Sequence, residues 1–150
     1  MIDQAGCRHV PHVQGIMVGQ ELLIHNSGTT GHNVKMTSRL NGTFNLNMPE
    51  FSSPQTKVFK KDEIGTMALK CDVHPWMSAY VHVLSHPSRA VTQEDATFQL
   101  KWQPPGEYEL SVWHEFSKFT PDAPSKPVKV EAGKDAEIAF TYRPPAAKGD

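Results

Sequence analysis

Seven consecutive residues, Cys71-Asp72-Val73-His74-Pro75-Trp76-Met77, place a thiol, an imidazole and a thioether within about one turn of chain. Soft sulfur donors with imidazole favour copper, and a thiolate with two imidazoles and a long axial thioether is an arrangement suited to one-electron transfer. The stretch supplies three of those four donors. The missing imidazole is offered by Asn26-Ser27-Gly28-Thr29-Thr30-Gly31-His32-Asn33-Val34, where a strand ends, a Gly-rich turn follows and His32 opens the next strand. His32, Cys71, His74 and Met77 are therefore the candidate ligands for one copper ion alternating between Cu(I) and Cu(II).

The elements that must hold them are strands. Helical periodicity is hard to find, whereas short alternating apolar runs bounded by Gly, Pro, Asn and Asp recur throughout the chain. Strands are expected near Val10 to Val18, Glu21 to Asn26, Asn33 to Met36, Lys57 to Lys60, Thr66 to Cys71 and Ala79 to Leu84. A second set follows near Thr97 to Trp102, Glu107 to His114, Pro127 to Glu131 and Ala136 to Tyr142. The fold class is all-β, a Greek-key sandwich or barrel. Thr37 to Gln55, with Asn41-Gly42, Met48-Pro49 and Ser53-Pro54, reads as a long surface loop, and the chain beyond Arg143 as a frayed tail, disordered over 146–150.

Both motifs resemble those of the cupredoxins, the type 1 blue copper proteins, most closely the amicyanin and plastocyanin type. The first ligand of that family lies in a similar N…HNV segment and the others in a C-x2-H-xn-M loop before the last strand; CDVHPWM also has the Pro after the His and an aromatic before the Met. The resemblance covers Val10 to Leu84. It implies the same four ligands and gives Asn33 the task of bracing the ligand loop by a side-chain hydrogen bond. The family has Thr or Ser after the Cys, where this chain has Asp72. It also implies electron transfer through a partly exposed His74, with redox protein partners docking near His74, Pro75 and Trp76, and a periplasmic or secreted location, no signal peptide being among these residues.

Bulk properties exclude several classes. With 15 basic and 16 acidic residues there is no footprint for nucleic acid, and no segment approaches the roughly 20 apolar residues that span a bilayer. The two cysteines, Cys7 and Cys71, are too few for a disulfide scaffold, while eight histidines are many for 150 residues. A Cys7–Cys71 disulfide would leave the spacing of His32, His74 and Met77 unexplained. Cys7-Arg8-His9-Val10-Pro11-His12 has metal-like spacing, but on a strand His12 would face away from Cys7 and His9, so a covered, unpaired thiol is expected at Cys7. No tight spacing joins His82, His86, His114 and Glu115 into a second site.

The C-terminal third, Ala90 to Phe98 and then Pro104-Pro105-Gly106-Glu107-Tyr108, is similar to carboxypeptidase-regulatory or transthyretin-like sandwich modules, with Ala96 and Gln103 departing from their pattern. The organisation expected is a copper domain over 1–84 and a β extension over 85–145 that shares the strand 79–84. The function expected is a one-electron carrier and not an enzyme. Copper storage, delivery or sensing, in which the metal does not cycle, is the alternative from another class, and a metal-free β-module with a disulfide is the third.

Overall fold

A computed structural model describes residues 1–144; the expected disordered tail, 146–150, lies outside the described residues. Every regular element among them is a strand, and the chain divides into two compact units, the first ending at Phe98 and the second starting at Gln99. No helix is long and apolar enough to cross a membrane.

The first unit contains β1 (Ile2–Ala5), β2 (Arg8–Val10), β3 (Val13–Met17), β4 (Glu21–His25), β5 (His32–Thr37), β6 (Phe44–Met48), β7 (Gln55–Val58), β8 (Ala68–Lys70) and β9 (Ser78–Leu84). They form a four-stranded sheet in the order β2-β1-β4-β7 and a five-stranded sheet in the order β3-β9-β8-β5-β6. Pairing is antiparallel except for β1 with β4 and β3 with β9. A single apolar core collects Leu22 and Ile24 from β4, Val34 and Met36 from β5, Leu69 from β8 and Val81 and Val83 from β9. The intervening residues point outward, as the two-residue period of a strand dictates. Each such aliphatic side chain contributes roughly 1.5–3 kcal/mol by leaving water.

Two expectations needed correction in this unit. The stretch from Thr37 to Gln55 is interrupted by β6, whose Phe44-Asn45-Leu46-Asn47-Met48 alternates apolar with polar residues and pairs along β5. The single strand expected from Val10 to Val18 is two, because Pro11 has no N–H to give a ladder. β1 was not foreseen.

β9 pairs with β3 and β8. Beyond it, the segment expected to open the extension falls within the first unit. Asp62 accepts hydrogen bonds from the backbone N–H and hydroxyl of Ser85, and the Arg89 side chain lies so close over β3 that a Cβ on Gly15 would clash with it.

The second unit is built of two ladders: β10 (Gly106–Ser111) with β12 (Ser125–Val130), and β11 (Thr120–Pro121) with β13 (Tyr142–Arg143). Pro104-Pro105 turns the chain into β10, and the Tyr108 hydroxyl donates back to the Pro104 carbonyl at 2.8 Å. Thr97 to Trp102 forms no strand, and of the strand expected from Ala136 to Tyr142 only Tyr142 is in one, as the first residue of β13.

Candidate metal centre

Strand phase decides which side chains face inward. In β5, His32 is in phase with Val34 and Met36, so the period that buries the apolar pair also buries the imidazole, which is 2% exposed. Across the sheet, Met67, Leu69 and Cys71 share one phase and are all buried. β5 and β8 pair antiparallel with Lys35 opposite Lys70. Continuing that register by two residues sets Asn33 opposite Asp72 and brings the start of β5 to the head of the loop 71–77.

The loop is closed by its own backbone. The Cys71 N–H donates to the Met77 carbonyl at 3.2 Å, and the Met77 N–H donates to the His74 carbonyl at 2.9 Å. These bonds turn the chain back and present His74 to His32: their Nδ1 atoms lie 3.0 Å apart, and the Cys71 sulfur lies 3.9 Å from His32 Nδ1. Two imidazole lone pairs at that separation repel unless a proton or a cation stands between them. Burial, and then the His74 ring, push the His32 pKa below its ordinary value, which favours the neutral, ligating form.

Asn33 ties the two motifs together. Its Oδ1 accepts from the Asp72 N–H at 2.7 Å and from the Cys71 thiol at 3.4 Å, while its Nδ2 donates to Asp72 Oδ2 at 3.0 Å and to Asn45 Oδ1 at 2.8 Å. Asp72 thus takes the place of the Thr or Ser found in the resembled family. Asn33→Ala removes all of these bonds and is expected to lower unfolding free energy by about 1–3 kcal/mol, read from a urea titration.

Met77 is 1% exposed and stands outside the contiguous apolar core. At the other face of the loop, half-buried His74 packs its ring against Trp76 at 5.0 Å between centroids. Trp76 is 66% exposed, and its indole N–H donates to the Cys7 carbonyl at 3.1 Å. Both cysteines are free thiols, so the disulfide reading does not describe this structure.

Cys7 is where the sequence reading and the structure part. It is half-buried and lies in a turn, where the two-residue alternation of a strand does not apply. Its sulfur, one nitrogen of His32 and one of His74 all lie within 4.8 Å of one another, the one such group of potential ligands found among the described residues. His82, His86 and His114 do not join any. His114 is instead surrounded by the rings of Phe116, Phe119 and Tyr142. The one signal for Cys7's position was Gly6, a turn residue between two short extended runs.

No family model and no curated protein matches the chain. Similar solved structures exist. A copper-containing nitrite reductase from Thermus scotoductus SA-01 aligns with 55% of this chain and 21% of its own at 17% identity and a TM-score of 0.49. A Cu(I) mutant of amicyanin aligns over 55% of this chain and 78% of its own at 21% identity and a TM-score of 0.46. For a purple cupredoxin from Nitrosopumilus maritimus the values are 53%, 84%, 20% and 0.43. The chain therefore spans about a fifth of the reductase's length.

The donors fit a soft metal. Two imidazoles and a thiol, that of Cys7, gather within 4.8 Å of one another, the Cys71 sulfur lies 3.9 Å from the same His32 Nδ1, and burial favours the neutral form of His32.

Proposed function

We propose that the protein would bind one copper ion through His32, Cys71 and His74, with Met77 as a fourth donor, and act as a one-electron carrier of the cupredoxin kind without enzymatic activity. The observation that supports this reading is the approach of His74 Nδ1 to 3.0 Å and of the Cys71 sulfur to 3.9 Å from a single buried imidazole nitrogen. Bound copper would supply the change of one electron between Cu(I) and Cu(II). The chain's part is to hold the donors nearly still while that happens, and the Asn33 bonds and the strand register do so. Ligands that do not move keep the reorganisation small.

His74, half-buried beneath exposed Val73, Pro75 and Trp76, is the route by which electrons reach a partner. The partner is a redox protein that docks on this apolar cap, in a periplasm or outside the cell. The direct test is an absorption spectrum after adding Cu(II), followed by voltammetry. An intense thiolate band with a reversible wave supports a carrier; no band, or copper surrendered at once to a chelator, overturns it.

Met77→Leu is expected to keep the colour and raise the reduction potential, because Cu(I) is satisfied by three donors whereas Cu(II) loses a fourth that it needs. The shift is roughly 59 mV for each tenfold of that preference. A potential unchanged in the variant removes Met77 from the ligand set.

A further inference from the structure

β1 and β2 are joined by a two-residue turn: Ala5 pairs with Arg8, and Gly6 and Cys7 between them have φ of 57° and 53°. That is the conformation of a tight hairpin turn, and its second position ordinarily takes glycine or asparagine, which accept positive φ without a clash. A cysteine there adopts a backbone it disfavours. Two contacts show where the turn lies. The Trp76 indole holds the Cys7 carbonyl, and the Cys7 sulfur lies within 4.8 Å of nitrogens of both His32 and His74.

The side chains at this end of the barrel hold donors that the protein does not satisfy. His32 is 2% exposed and its Nε2 has no hydrogen-bond partner. His9 of β2, paired opposite Gln4 of β1, is 3% exposed with neither ring nitrogen hydrogen-bonded. The His32 nitrogen that faces other donors is Nδ1, 3.0 Å from His74 Nδ1 and 3.9 Å from the Cys71 sulfur.

We propose that Cys7 is a second sulfur ligand at the same centre, a thiolate that shares His32 and His74 with Cys71 and binds Cu(I). This rests on the copper reading above and extends it from one thiolate to two. Cys7 loses its proton to solvent on binding, as any ligating thiol does, and a second thiolate biases the site towards the softer, reduced ion. The hairpin then acts as a clasp: the turn carries the sulfur, and the Trp76 bond fixes the turn to the ligand loop.

Cys7→Gly is the decisive variant, because glycine suits a φ of 53° and removes the thiol with its Cβ without straining the turn. Cys7→Ser serves as its companion, keeping the side-chain size. Wild type, both variants and Cys71→Ser are titrated anaerobically with Cu(I) against a chromophoric chelator, and alkylation of each thiol by iodoacetamide is followed by mass analysis. The expected result is a loss of Cu(I) affinity of roughly tenfold or more in both Cys7 variants, with Cys7 alkylated in the metal-free protein and protected once Cu(I) is bound. Unchanged affinity in both variants, or equal alkylation of Cys7 with and without Cu(I), overturns the proposal. Wild-type affinity in Cys71→Ser, combined with the expected loss in the Cys7 variants, supports a Cys7 site and sinks the Cys71-centred reading instead, so the two failures are told apart.

Discussion

Replacing Cys71 with serine is expected to remove the intense visible absorption that the copper reading predicts when Cu(II) is added to the wild-type protein. A thiolate bound to Cu(II) transfers charge to the metal at visible wavelengths, and a hydroxyl has no orbital of comparable energy. The exchange is nearly isosteric, Cys71 is 3% exposed, and its backbone N–H still reaches the Met77 carbonyl. The fold is therefore retained while the chromophore is lost. Any weaker band that remains, at a shifted wavelength, belongs to Cys7 and disappears in the Cys7→Gly, Cys71→Ser double variant. A spectrum unchanged in Cys71→Ser would falsify the assignment of the ligand set. Far-UV circular dichroism of both proteins controls for misfolding.

That His32 lies beside both Cys71 and His74 was legible because chemistry-bearing residues in this chain sit at strand ends, where spacing carries information. A thiol, an imidazole and a thioether within seven residues have few structural explanations, and a histidine opening an apolar-alternating strand must share the buried phase of Val34 and Met36. The all-β class followed from the same alternation. What escaped was everything that depends on pairing over distance. Phe44 to Met48 has the alternation of a strand, but the flanking Asn41-Gly42 and Pro49 are stronger local signals for a loop, and only the ladder with β5 decides between them. Asn45 could not be seen as the second partner of Asn33 until β6 was in place.

Cys7 was the larger omission, for a related reason. Strand alternation was applied to a residue that belongs to a turn, and no local rule says which part of a barrel a hairpin turn will face. The parallel pairing of β1 with β4, which brings Ile2 opposite Ile24, sets that direction. Parallel contacts between segments so far apart in sequence leave little trace in either one. The histidines His82, His86 and His114 show the opposite case. They are conspicuous in composition but join no group of potential ligands among the described residues, and burial lowers the pKa of His82.

The far end of the same strands rests on one carboxylate, Glu63, and its loss is expected to destabilise the first unit most. Glu63 is 5% exposed, yet it accepts from the Arg39 and Leu40 N–H groups at 2.7 and 3.0 Å, the Ser38 and Thr66 hydroxyls at 2.7 and 2.5 Å, and Asn41 Nδ2 at 3.0 Å. Its backbone bridges to Val83 in both directions, so it fastens the turn after β5 and the approach to β8 onto β9. Burial raises its pKa, but the bonds from Thr66, Ser38, Arg39 and Leu40 outweigh that and hold it at about 2, against an ordinary 4.5. A carboxylate with a lowered folded-state pKa stabilises the fold fully above its unfolded value, and that stability is lost as pH falls from about 4.5 to about 2. The difference is worth about 3 kcal/mol. Glu63→Ala takes the acceptor from the Arg39 and Leu40 N–H groups, the Ser38 and Thr66 hydroxyls and the Asn41 amide, and is expected to lower unfolding free energy by about 3 kcal/mol. In thermal denaturation the midpoint then falls on the order of 20 °C. Glu63→Gln recovers little, because its amide NH2 would face groups that are themselves donors. The discriminating measurement is urea denaturation of wild type and Glu63→Gln between pH 2 and 6. The gap between the two proteins should be widest at pH 6 and should close towards pH 2, and a gap that stays constant across that window would mean that the charge on Glu63 contributes nothing to the fold.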